Sequence, residues 1–387
     1  MNVARAPTGS SPDVAELLRH LAAHGLPTDG TATVDTARTE HRIALDPPAE
    51  ATWQQLLRQV DRQRLPGLLL AAIDDGALPV TDSQRSDALQ RHQEAMTAVL
   101  HLEQQLLALT RALEDAGIEV VALKGSAHAH LAYPDPSWRH FGDVDLLVPA
   151  AQLEAAVTTL GIQRGASRQA AELRPGYDRR FAKSVTLVEP DGTELDLHRT
   201  LLFGTFAFRI DLDELFASAV TFELGGRRIR ALGPETRLLH TCFHAGLGDP
   251  RPRLSSVRDL AQLLLTGDHD PDRLIALTER WEAQAVMARA LQLCREVLDI
   301  EVAGPIAARF AHHRPSRRDA RAIDAYVGSN RSHTAKVLAS LPFIDDLPSR
   351  AAFVVGSALP VRTFADQRGT DRRRWLGKGW RSLTRGR

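Results

Sequence analysis

Three aspartates are the residues whose spacing could do chemistry. Asp143 and Asp145 stand two apart in the run DVDLLV, and Asp196 lies in TELDLHRTLL. Successive side chains of a strand point to opposite faces, so Asp143 and Asp145 share one face while Val144, Leu146 and Val148 share the other. Two neighbouring carboxylates repel and are costly to desolvate, and a divalent cation between them removes both penalties. The same alternation puts Glu194, Asp196 and His198 on one face of a second strand, which makes Asp196 a third candidate ligand. Carboxylates from adjacent strands can hold two metal ions about 4 Å apart, the separation used to clamp an in-line phosphoryl displacement. Hard oxygen ligands favour magnesium or manganese over zinc.

A phosphate cradle is expected just upstream. In VVALKGSAHAHLAY, Gly125 and Ser126 fall between an apolar strand and a short helix, where backbone amides at a helix N-terminus can hold phosphate oxygens. Glycine permits the close approach. Lys124 and Arg139 could neutralise a triphosphate. Arg139 could equally be a structural partner of Asp135 or Asp143.

Other chemistries fit less well. Ser126 near His128 suggests a hydrolase nucleophile, but GxSxG is absent, and so is the Walker pattern GxxxxGK[ST]. His240 and His244 have metal-ligand spacing, yet Thr241 stands where a zinc protease needs glutamate, so a packed histidine pair is the better reading. Arg258 and Asp259 could reach a nucleotide or form a structural salt bridge.

The elements that must position these residues can be read from periodicity. Apolar residues recur at helical spacing from Asp13 to about Gly117, which is expected to close the last helix before the apolar run IEVVAL begins. IEVVAL and DVDLLV read as strands, AHAHLAY and AQLEAAVTTL as helices, and SVTLVEP with TELDLHRTLL as a hairpin around Asp191-Gly192. After about residue 210 the pattern returns to helices. The expected organisation is a leader over 1–12, an N-terminal helical region over 13–117, a core over 118–210, a C-terminal helical bundle over 211–345 and a tail over 346–387. The chain's last residues carry many arginines and lysines around Trp375 and Trp380, a mixture that is solvated or suits an anionic membrane surface.

The 387 residues carry 48 basic and 48 acidic side chains, so net charge does not draw the whole chain to nucleic acid. Hydrophobic content of 43% is ordinary for a globular protein. Cys242 and Cys294 are too few for a disulfide framework and read as reduced thiols. No signal-like or membrane-spanning apolar stretch occurs, so a cytoplasmic protein is expected.

The run LKGSAHAHLAYPDPSWRHFGDVDLLV resembles the signature of the DNA polymerase β-like nucleotidyltransferase superfamily, where a strand, Gly-Gly or Gly-Ser, and Asp-x-Asp recur. More narrowly, LKG, YPDP, Arg139, GDVDLLV, ELDLH, FHAGL and VRDLAQLLL resemble a poorly characterised branch of bacterial nucleotidyltransferase-family proteins. The likeness covers most of residues 50–300. It implies that Asp143 and Asp145 bind both metals, that Asp196 binds the catalytic metal and helps deprotonate the acceptor, and that Gly125-Ser126 contacts the nucleotide phosphates. The gap from Ser126 to Asp143 is longer than the usual superfamily spacing, a feature the narrower branch shares.

The resemblance implies an α+β protein with a mixed-sheet nucleotidyltransferase core between helical regions, the site lying between core and bundle. The expected reaction moves a nucleoside monophosphate from an NTP, ATP foremost, to an unidentified small molecule, peptide or glycan and releases pyrophosphate. Magnesium or manganese is the expected cofactor. Phosphoryl transfer in the same pocket, or nucleotide or partner binding without turnover, are the rival readings.

Overall fold

The computed structural model describes residues 13–27, 43, 46–329 and 331–358. The expected leader and the Trp375 and Trp380 segment lie outside the described residues. The protein is α+β. Among the described residues, four helices precede the sheet: α1 (Val14–Ala23), α2 (Glu50–Gln63), α3 (Pro66–Asp74) and α4 (Asp82–Asp115). Among the described residues, no helix is long and apolar enough to cross a membrane.

Helix α4 begins in a reciprocal cap. The Thr81 hydroxyl accepts from the Gln84 amide while the Gln84 side chain accepts from the Thr81 amide, which satisfies two N–H groups the helix cannot. Past its end, Gly117 adopts φ 72, a left-handed conformation open to glycine without strain, and the chain enters β1 (Val121–Leu123). The turn into α5 (Gly125–Ala132) follows at once, then β2 (Val144–Leu147), α6 (Leu153–Arg164), β3 (Ser167–Arg168), α7 (Tyr177–Phe181), β4 (Ser184–Val188) and β5 (Glu194–His198). Gly192 at φ 88 closes the expected β4–β5 hairpin, helped by the Thr193 amide donating to Asp191 Oδ1.

The seven-stranded sheet runs β3-β4-β5-β2-β1-β7-β6. Strands β2 and β5 pair in parallel and β1 and β2 antiparallel, so the two strands that carry the candidate acids are neighbours at the sheet's centre. Strands β6 (Val220–Leu224) and β7 (Arg227–Ala231) correct the reading that only helices follow residue 210. They form a hairpin through Gly225 and Gly226, at φ 53 and φ 76, and extend the sheet because β7 pairs with β1.

Side-chain alternation divides the core. Val144, Leu146 and Val148 pack with Leu195, Leu197 and residues of α4 and α6 on one face. Val121, Leu123 and Leu147 face the other way, into a cluster shared by the N-terminal helices and the helices after the sheet. These include α8 (Leu212–Ala217), α9 (Pro234–Leu247), α10 (Leu254–Thr266), α11 (Pro271–Arg280) and α12 (Gln284–Leu298). Leu17, Trp53, Leu238 and Trp281 thus belong to one continuous core, with the N-terminal and C-terminal helices in a single layer. Four more helices complete the described chain: α13 (Pro305–Phe310), α14 (Arg317–Val327), α15 (His333–Ser340) and α16 (Leu347–Ala358).

Helix α16 is a second correction, since its sequence was read as the start of a tail. Phe353 is fully buried against Phe181 and Phe208, and the Tyr177 hydroxyl shares a 2.8 Å hydrogen bond with Ser357. Cys242 and Cys294 are free and buried.

Candidate metal and nucleotide site

Asp145 and Asp196 are register partners on the parallel strands β2 and β5. Both point to the face that also carries Leu147, towards the helical layer, because their odd and even neighbours fill the opposite core. One ligand atom from each of Asp145, Asp196 and His198 lies within 4.8 Å of the other two.

Asp145 is only 5% exposed, and each of its oxygens has a partner. Lys124 Nζ stands 2.7 Å from Oδ2, and His198 Nε2 stands 2.8 Å from Oδ1. Burial opposes the charge, yet the Lys124 ammonium and the His198 ring hold the Asp145 carboxyl well below the usual carboxylate range. Asp196 is half-buried, and its Oδ1 accepts a 2.6 Å hydrogen bond from the Thr186 hydroxyl. Its second oxygen has no protein partner among the described residues.

His198 is a residue that sequence reasoning put on the right face without giving it a role. Its Nδ1 lies 3.2 Å from the Thr200 carbonyl oxygen, and its Nε2 faces the Asp145 carboxylate. Both neighbours only accept, whereas a neutral imidazole offers one N–H. A cation at Nε2 would settle that conflict. With two carboxylates beside it, the donor set therefore fits a divalent ion.

Asp143 stands apart from this cluster. It precedes β2, its side chain is 56% exposed, and its nearest cation is Arg64, whose Nη1 is 4.0 Å from Oδ1. The structure brings Asp145 and Asp196 together with His198 and leaves Asp143 at the solvent edge, two residues upstream of Asp145 and just before β2.

Lys124 is bent into a conformation L residues avoid, φ 44 and ψ −134, and Gly125 follows at φ 33. The turn carries the chain from β1 into α5 and aims the lysine at Asp145. Gly125 and Ser126 are buried in the first turn of α5, and a Cβ on Gly125 would come 3.3 Å from the Phe141 ring. Lys183, just before β4, is half-buried and went unnoticed in the sequence. Burial and Lys124 push its ammonium down, while Asp145, Asp196 and Asp143 pull it up, so it shares the acids' field.

Arg139 has a different employment from the expected phosphate contact. Its guanidinium forks onto Asp259 of α10, Nε to Oδ1 and Nη2 to Oδ2 at 2.7 Å each, and Nη1 donates to the His140 carbonyl. Asp259 also accepts from the Tyr133 hydroxyl at 2.8 Å, and His128 Nδ1 lies 3.5 Å away. Burial favours the neutral acid, but Arg139 and His128 hold Asp259 far below its ordinary range. Neighbouring Arg258 does not pair with Asp259; it donates to Ala22 and His24 carbonyls and to Gln262, tying α10 to α1.

His240 and His244 lie on α9, on the side of Lys124 and Asp145. Burial pushes His240 well down, with Lys124 and His198 adding. His244 is solvent-accessible. Neither belongs to a three-ligand cluster among the described residues, which leaves the zinc alternative without a donor set. A recess of about 950 Å³ lies elsewhere, among residues such as Arg289, Arg295, His312 and Asp324, and none of Asp143, Asp145 and Asp196 lines it.

No curated protein matches the chain. Among solved structures it is similar to an antigenic nucleotidyltransferase-like protein from Paracoccidioides brasiliensis, at 17% identity and a TM-score of 0.35, over 55% of this chain and 97% of that one. A family model described as uncharacterised nucleotidyltransferase matches residues 49–299, a span that starts at the approach to α2, encloses the whole sheet and ends after α12. By that match, over well more than half its length, the chain belongs to this nucleotidyltransferase family.

Proposed function

We propose that the protein transfers a nucleoside monophosphate from an NTP, ATP foremost, to an acceptor hydroxyl or similar group with release of pyrophosphate. The observation that carries this reading is the pairing of Asp145 with Asp196 in register on adjacent strands, beside the strand-turn-helix at Gly125. Asp145, Asp196 and His198 would hold a magnesium or manganese ion, with Asp143, exposed just before β2, contributing from the solvent side. When bound, the ion neutralises the triphosphate and stabilises charge developing on the leaving pyrophosphate.

The chain's own groups do the rest. The first N–H groups of α5, which no helix carbonyl can satisfy, donate to phosphate oxygens. Lys124 and Lys183 supply positive charge, and Arg139 is left out of the phosphate set because Asp259 consumes its fork. Asp196 takes the acceptor's proton as its oxygen bonds to the α-phosphorus and the bond to pyrophosphate breaks. Positioning and charge neutralisation supply most of the rate. The acceptor is a small molecule, peptide or glycan.

The test is incubation with α-labelled and, separately, γ-labelled NTPs, magnesium or manganese and a metabolite extract, followed by mass spectrometry. The α label should enter a product while the γ label leaves in pyrophosphate. A product carrying the γ label would mean phosphoryl transfer instead. No labelled product above an Asp145→Ala control, with any NTP, would overturn the reading.

A further inference from the structure

Lys124 is an odd residue at its position. The backbone there, φ 44 and ψ −134, suits glycine, and another residue held in such a region costs about 1–3 kcal/mol unless its surroundings hold it. The Lys124 carbonyl accepts the first hydrogen bond of α5, from the His128 amide, and the side chain's ion partner is one carboxylate. The lysine side chain is 11% exposed and its ammonium sits 2.7 Å from Asp145 Oδ2, while His198 covers Oδ1. Asp145 therefore already has a cation, on the same carboxylate that a divalent ion shared with Asp196 and His198 would use. Lysine suits such an exchangeable contact, because it is a point charge on a flexible stem with no fixed fork. A lysine driven off Asp145 in this buried setting must find another anion.

We propose that Lys124 is a tethered counter-ion that occupies the ion's position on Asp145 and passes to the triphosphate when nucleotide and ion arrive together. The identity of the second anion rests on the nucleotidyltransferase reading. The consequence is coupled binding: a free ion competes with the ammonium and binds weakly, whereas nucleotide draws the ammonium away and admits the ion. By linkage the ion raises nucleotide affinity by the same factor, and such couplings are roughly 5–150-fold.

The experiment titrates the full-length protein with Mn²⁺ alone, reading free ion by electron paramagnetic resonance. It is repeated with a saturating α,β-methylene ATP whose α–β bridge cannot be cleaved. Lys124→Gly removes the charge and suits the local backbone; Lys124→Met removes the charge and keeps the length; Lys124→Arg keeps the charge. Without nucleotide, the Gly and Met variants should bind Mn²⁺ roughly tenfold tighter than wild type, and the Arg variant like wild type. The analogue should strengthen Mn²⁺ binding in the wild type and much less in Lys124→Gly. If Lys124→Gly and Lys124→Met bind Mn²⁺ no tighter than wild type while Asp145→Asn loses binding, the counter-ion role falls and the metal site stands. If no form binds Mn²⁺ with or without the analogue, both fall.

Discussion

Asp145 and Asp259 are both aspartates buried to within a few percent, and neighbours keep both ionised, yet the two regions are built differently. Asp259 receives a planar fork from Arg139 and a phenol hydroxyl, all fixed by packing between α10 and the loop before β2. Asp145 receives a single ammonium on a strained turn and a ring nitrogen whose proton is contested. A buried charge always needs partners, but the rigidity of the partners tells what the charge is for. Donors that cannot leave hold a fold together. Donors that can leave make room for a ligand.

The largest expected effect falls on the rigid pair. Arg139→Met leaves Asp259 buried with hydrogen bonds but no full counter-charge, a change that costs about 3–5 kcal/mol of stability. Urea denaturation should show that loss. The double variant Arg139→Met, Asp259→Leu should recover part of it, because replacing both members of a buried pair removes the uncompensated charge. A loss under about 1 kcal/mol in the single variant would erase the distinction between the regions.

Asp145 should respond in the opposite way. Asp145→Asn should lower the rate of metal-dependent label transfer by roughly 10²–10³-fold, equivalent to a lost transition-state contact, and Asp196→Asn should do the same. In the urea experiment Asp145→Asn should cost less than half of what Arg139→Met costs. A variant with near wild-type transfer, or one destabilised as much as Arg139→Met, would place Asp145 among the structural acids. Asp143→Asn should reduce transfer less than Asp145→Asn if its exposed position reflects a secondary role; an equal loss would bring it back into the metal set.

Much of this was legible because turns and alternation are local. Gly117, the Asp191-Gly192 turn and the two-residue spacing of Asp143 and Asp145 located β1, the β4–β5 hairpin and the acids' face. The β6–β7 hairpin was missed although Gly225-Gly226 sits between Phe222, Leu224 and Ile229, which alternate correctly; Arg227, Arg228 and Arg230 disguised a strand whose outer face is solvated. The Arg139–Asp259 contact joins residues 120 positions apart, and no local pattern announces a partner so distant. His198 illustrates the boundary: its face followed from parity, but its diagonal contact with Asp145 depends on how β2 and β5 are registered.

The smallest effect separates the acid chemistry of the rigid region from that of Asp259 itself. His140 follows Arg139, is buried, and has neither ring nitrogen hydrogen-bonded among the described residues. Burial pushes it down to about 3, and His92 and Arg139 push the same way. The unfolded chain binds this proton near pH 6.5, so the stability it contributes is complete above that value and is lost as pH falls towards 3. Asp259 acts lower: its depressed carboxyl contributes fully above about pH 3.9, where the unfolded acid titrates, and fails only below it. Between pH 6 and 5, therefore, His140 contributes a slope approaching 1.4 kcal/mol per pH unit, and Asp259 contributes almost none. His140→Phe fills a similar volume without a proton to bind, and its urea-derived stability should fall by about 1 kcal/mol less than wild type over that interval. Identical slopes would mean that His140 gains a proton partner on acidification, and the loop before β2 would then be as adaptable as the turn at Lys124.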